Sequence, residues 1–195
     1  MNDERFTRSH VITLVITSLI GVGFGAGWWF SGVASVSGGS TAWAVAGVVI
    51  TLGLTGWVFR FGRSGGGLPP GGGRSDSPFG TGYGIAVLVM LVGIFAGSRV
   101  LASFDLTEAT PAWVLFVVGA HFALFAKLFG STRYVLLAAL LCGTAALAVL
   151  LGATDLEWAW RLVPGFGGAV VLWGTVVAGL RDGRQQVARA AADAG

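Results

Sequence analysis

The chain is poor in charge and almost without cysteine. Of 195 residues, 12 are Lys or Arg and 9 are Asp or Glu. Charged residues make up 11%, under half of the roughly 25% usual in soluble domains. A water-soluble globule of this length needs more polar surface to stay dispersed, and a hydrophobic content of 54% excludes a disordered chain as well. Cys142 is the one cysteine, so neither an intrachain disulfide nor a cysteine-based metal cage can form. The basic residues are placed singly, not gathered into the stripe that a nucleic acid requires, so no nucleic-acid partner is expected. Glycine, by contrast, is abundant, with 33 residues against a usual share of about 7%. It follows no three-residue period, which excludes a collagen-like chain.

What the chain holds in quantity is long apolar runs. A bilayer core about 30 Å thick takes about 20 apolar residues per spanning helix. Stretches near 11–30, 42–59, 83–101, 111–129, 134–153 and 162–180 meet that length, and none contains Asp or Glu. The predicted fold class is therefore all-α: a polytopic transmembrane helix bundle of six spans over 11–180, with the lipid bilayer as its main partner. The segment 60–82 is rich in Gly, Pro and Ser and reads as a flexible linker. Residues 1–10 and 181–195 read as terminal segments, and the Ala-rich tail suits a continuation of the last helix. It also carries Arg that would meet anionic lipid.

The cations set an orientation. With the N-terminus inside, Arg99 and Arg161 fall in outer segments and every other Lys and Arg falls in an inner one, which places both termini in the cytoplasm. Trp28, Trp29, Trp43, Trp113, Trp158 and Trp160 gather at the outer boundary and Trp57 at an inner one, as amphipathic indoles do at headgroup level. Arg5 and Arg8 before the first run resemble the start of a signal peptide. The run 11–30 is longer than the usual h-region, and Asp3 and Glu4 offset the charge, so a retained span is expected. Heavy use of Ala, Gly, Val and Arg fits a high-GC prokaryotic genome and hence a multi-pass protein of a prokaryotic cell membrane.

Six spans divide into two sets of three. The third span opens GYGIAVL at Gly82 and closes on Gly97 and Arg99, while the sixth opens GFGGAVV at Gly165 and closes on Gly179 and Arg181. Gly21-Val22-Gly23-Phe24 similarly parallels Gly119-Ala120-His121-Phe122. An odd number of spans per half makes the halves oppositely oriented, as in many secondary transporters. Chance similarity among Gly, Ala and Val is the alternative.

His121 is the titratable side chain set deep in a span, ten residues past Pro111 and so about 15 Å down the helix. Thr51, Thr144 and Thr175, with Cys142 and Trp173, are expected at comparable depth. Such a layer suits proton relay or coordination of a polar solute. The competing reading is a neutral imidazole acting as interhelical glue. On the same helix Gly119, Phe122, Ala126 and Phe129 share a face. The run GAHFALFAKLF, with its G-x-H-F-x-x-x-A-x-x-F pattern, resembles a segment of small, uncharacterised polytopic membrane proteins of prokaryotes. The resemblance spans about eleven residues and implies a multi-span fold without implying an activity.

Gly21/Gly25, Gly23/Gly27 and Gly93/Gly97 are G-x-x-x-G pairs, and with Gly119 they mark expected helix packing. A flexible or broken helix lining a path is the alternative, for which Pro164-Gly165-Phe166-Gly167-Gly168 is the second candidate. The outer residues Arg99, Asp105, Glu108, Asp155, Glu157 and Arg161 would form an ionic vestibule if they converge. The spans hold no carboxylate pair for acid and base work and no second buried His for a metal site, so catalysis, metal and cofactor are not expected. Two functions follow: a small transporter or facilitator for a neutral or weakly polar solute, or a non-catalytic scaffold or accessory subunit. A homo-oligomer with a polar central cavity would suit the first, and a partner membrane protein the second.

Overall fold

The computed structural model describes residues 6–69, 80–129 and 131–192. The long elements are helices: α1 (Arg8–Val33), α2 (Ser40–Ser64), α3 (Thr81–Ser103), α4 (Thr110–Phe129) and α5 (Thr132–Gly152). The sixth span joins α6 (Ala159–Leu162), a π turn (Val163–Gly167) and α7 (Gly168–Ala192). Six units are long and apolar enough to cross a membrane. Large apolar side chains point outward along them, among them Phe95 at 70% exposure, Leu150 at 68% and Leu52 at 65%. Water would penalise such a surface, whereas lipid solvates it. Hydroxyls within the spans conform to the same solvent, since Thr17, Thr51, Thr144 and Thr175 each donate to the carbonyl four residues back.

The turns after α3 and α5 share one device. Asp105 and Asp155 take the left-handed conformation, with φ of 57° and 63°. After α3, the Leu106 amide then reaches back to the Leu101 carbonyl at 2.9 Å, which satisfies an orphan acceptor at the helix end.

Contacts divide the bundle into two groups. The most extensive pairings are α4 with α5, α1 with α7, α1 with α2, and α3 with α4. Exchanging span one with four, two with five and three with six maps this set onto itself: each third helix leaves its own triplet to pack on the first helix of the other. Gly65 after α2 lies against Val11 of α1, Gly183 of α7 lies against Leu14 of α1 and Phe61 of α2, and Arg133 of α5 pairs with Asp182 of α7 at 2.6 Å. The start of α1, the end of α2, the start of α5 and the end of α7 therefore share one end of the bundle, here termed the terminal end. The seam between the groups runs along α5 and the sixth span. The exchange fails there, because α5 packs on α6, the π turn and α7, whereas α2 makes no comparable pairing with α3.

The helices are longer than the apolar runs. Residues 60–64, expected in the linker, continue α2, and Gly65–Gly67 add a 3-10 turn. Tertiary contact overrides the weak helix propensity of glycine here: Phe61 is 2% exposed and lies against Gly183, and Gly65 lies against Val11. The sixth span covers 34 residues, about 51 Å at 1.5 Å per residue, so the tail is helical to Ala192. The remainder of the linker at 70–79 with Arg74, the start Met1–Arg5, the side chain of Phe129 and the last residues 193–195 lie outside the described parts.

Candidate functional site

The interior is organised by tryptophans seated on glycines. Trp173 of α7 covers Gly25 of α1, so close that a Cβ there would lie 2.4 Å from its Nε1, and its indole N–H donates to the Val22 carbonyl at 3.2 Å. Trp29 of α1 covers Gly47 of α2 and donates to the Trp43 carbonyl at 2.8 Å. Trp113 of α4 covers Gly97 of α3 and donates to the Gly93 carbonyl at 3.1 Å. Each glycine removes the side chain that would block the ring, and each indole N–H finds a carbonyl three or four residues upstream. These three indoles thereby keep their donors satisfied between helices, whereas the buried Nε1 of Trp57 has no partner among the described residues. Trp29 and Trp113, expected at the outer boundary, are thus anchored between helices, while Trp43 and Trp158 are about half exposed. The missed signal is the pairing of Trp with Gly on neighbouring helices, which no single-helix periodicity carries.

Gly21 faces Val176, Gly93 faces Val117 and Gly119 faces Cys142 and Leu141. Gly23 and Gly27 meet nothing within 4 Å, so of the two overlapping pairs in α1 only Gly21/Gly25 is a contact. The Pro164–Gly168 segment is a crossing point. Gly165 lies on the backbone of Gly32 in α1, Gly167 on Thr144 of α5, and Gly168 on Leu115 of α4 and Trp28 of α1. Pro164 has no N–H to give to the preceding turn, and the helix accommodates it with a π turn, a bulge often found at functional positions. Trp29, Trp43, Phe166 and Trp173 form an aromatic knot above it, with Trp29 edge-on to Phe166 at 4.7 Å.

His121 lies elsewhere. It is 9% exposed, its Nδ1 bonds the Val118 carbonyl of its own helix, and its ring packs on Phe122 and Phe125 at 4.2 and 4.8 Å. Those phenyl rings meet Tyr134 of α5, and Phe125 stacks on Tyr83 of α3. The imidazole is therefore one member of an aromatic cluster joining α3, α4 and α5. Thr51 stands on α2, whose main neighbours are α1 and α7; Thr144 touches Gly167; and Thr175 bonds its own α7. No hydrogen bond among the described residues joins the four into the expected layer. Each of the three threonine hydroxyls instead donates to a carbonyl of its own helix.

A cleft of about 510 Å³ opens at the end opposite the termini, lined by Trp28, Ser31, Ala34, Ser35, Thr107, Thr110, Pro111, Val114 and Arg161. It lies between the two groups, with α1 and Arg161 on one side and α4 with its preceding turn on the other. Of the charged residues expected to form a vestibule, Arg161 lines it, while Arg99, Asp105, Glu108, Asp155 and Glu157 do not. His121 does not line it either. Ser31, Ser35, Thr107 and Thr110 were not singled out in the sequence, because hydroxyls near span ends are too common to stand out. No three His, Cys, Asp or Glu residues among those described converge to hold a metal. No family model matches this chain, and no curated protein or solved structure shows significant similarity to it.

Proposed function

We propose that this protein is a small membrane facilitator whose two helix groups move against each other along the α5 and sixth-span seam. One observation carries this reading: the two groups part at one end around a hydroxyl-lined cleft and are tied at the other by Arg133 and Asp182. A seam open at one end and closed at the other is the asymmetry that alternating access requires. The exchanged third helices support it, because each packs on the first helix of the other triplet and so completes one of the two groups. Gly167 supports it too, since a residue without a side chain facing Thr144 of α5 leaves no interlock at that point of the seam, which permits shear. His121 has a packing role in this scheme, and the solute passes near Trp28 and the π turn.

The test is flux in proteoliposomes, followed as swelling with glycerol, urea and small organic acids. A protein-dependent rate is expected for at least one solute. It is expected to fall when positions 133 and 182 are changed to Cys, in a Cys142→Ala background, and joined by a bifunctional thiol reagent. Folded protein that raises no rate above empty liposomes overturns the proposal.

A second reading is an accessory subunit, favoured by α3. Ala86 is its buried residue, and Leu88, Phe95 and Phe104 are each more than half exposed. Photo-crosslinking from position 92 in native membranes decides: a single stoichiometric membrane-protein adduct favours this role, and lipid adducts alone remove it.

A further inference from the structure

We infer that the cleft at the loop end is an oxyanion site in which Arg161 binds a single carboxylate or phosphate group, free or on a lipid headgroup. The inference deepens the facilitator reading by naming the chemistry of its solute, and the site can be tested without any transport. Arg161 lines the cleft and makes no ion pair among the described residues, while the acids of the adjoining turns, Asp105, Glu108, Asp155 and Glu157, are not part of the lining. A guanidinium offers planar, paired donors suited to two oxygens of one anion. Around it stand four hydroxyls. Ser35 donates to the Ser31 carbonyl at a long 3.4 Å, and the hydroxyls of Ser31, Thr107 and Thr110 have no hydrogen-bond partner among the described residues. Trp28 supplies an apolar wall, held in place by its contact with Gly168.

The pattern of charge gives this arrangement its direction. Two of the twelve cations lie at the loop end, and the positive-inside bias explains the other ten without reference to a ligand. Arg161 runs against that bias and sits in the cleft, whereas Arg99 runs against it and does not. A cation with hydroxyls and no carboxylate in the lining repels cations and gives neutral solutes no use for the charge. The volume holds a small acid or the head of one lipid.

Calorimetric titration of the purified protein in uncharged detergent tests the site with inorganic phosphate and with propionate. Saturable binding of at least one is expected, weakened about tenfold or more in Arg161→Gln, as loss of a charge-assisted bidentate contact implies. Arg161→Lys is expected to retain part of the affinity, and Arg99→Gln all of it. The lipid source is tested in nanodiscs: phosphatidylglycerol raises the unfolding temperature over phosphatidylcholine in the wild type and less so in Arg161→Gln. Binding of free anions identifies a solute site, and the nanodisc effect alone identifies a headgroup site; either supports the inference. If wild type and Arg161→Gln agree in both experiments, or if Arg99→Gln loses as much, the inference fails. Anion binding without flux retains the site and removes the facilitator, whereas glycerol flux without anion binding does the reverse.

Discussion

A glycine in these helices has one of three surroundings, and each predicts a different cost for a methyl group. At Gly165 the added Cβ would lie 2.5 Å from the Gly32 Cα and 2.7 Å from its nitrogen. Backbone cannot turn aside as a rotamer can, so Gly165→Ala is expected to cost about 3 kcal/mol or more, or to prevent folding. At Gly25 the obstacle is the Trp173 ring, which can tilt at the expense of its bond to Val22, for about 1–3 kcal/mol. At Gly23 the space is open, and Ala gains helix propensity worth up to about 1 kcal/mol. Unfolding titrations in detergent should rank the variants in that order. Equal losses at Gly23 and Gly25 would refute the assignment of α1 faces. The spacing of Gly21 and Gly25 is legible in the sequence. The ring that fills the notch is not, because it comes from a helix about 150 residues later.

At the scale of the element, helix length is set by two different influences. Apolar runs fix the middle of each span, and the ends are decided by caps and by neighbours. Asp105 and Asp155 stop α3 and α5 in a conformation that costs a side-chain-bearing residue about 1–2 kcal/mol and glycine little. Asp155→Gly is accordingly expected to leave the thermal midpoint unchanged or raise it, and Asp155→Val to lower it. A midpoint that falls for Gly as much as for Val would show that the aspartate side chain, and not the backbone angle, holds the turn. The end of α2 obeys the other influence, since Phe61 against Gly183 draws residues of glycine-rich composition into a helix. Composition reads 60–67 as linker because the stabilising partner is 120 residues away in the chain.

For the whole molecule, the terminal end gathers the start of α1 and the ends of α2 and α7, and the charge bias predicts that end on the cytoplasmic side. In a Cys142→Ala background, cysteines at Ser64 and Arg189 should be shielded from a membrane-impermeant maleimide in intact cells, and one at Ser37 should react. Reaction at Ser64 with protection at Ser37 would invert the orientation, and opposite behaviour of Ser64 and Arg189 would contradict an even number of spans. The Arg133–Asp182 pair belongs to this scale as well. Its side chains are 57% and 42% exposed, so its contribution to stability is small, and its importance in the facilitator scheme lies in holding the seam shut.

The sequence by itself determined the all-α class and six runs long and apolar enough to cross a membrane, because these depend on the hydropathy of each segment taken alone. It also marked which glycines share a helix face. The tertiary structure decided which helix meets which face, and with that the fate of every candidate residue. His121 was drawn into an aromatic cluster and Thr51, Thr144 and Thr175 were turned to their own backbones, while Arg161 was left facing a cleft with four hydroxyls. Depth follows from counting along one helix, but side-chain direction depends on its rotation against its neighbours. That rotation is fixed by the Trp-on-Gly contacts and the glycine crossing, which join residues far apart in the chain.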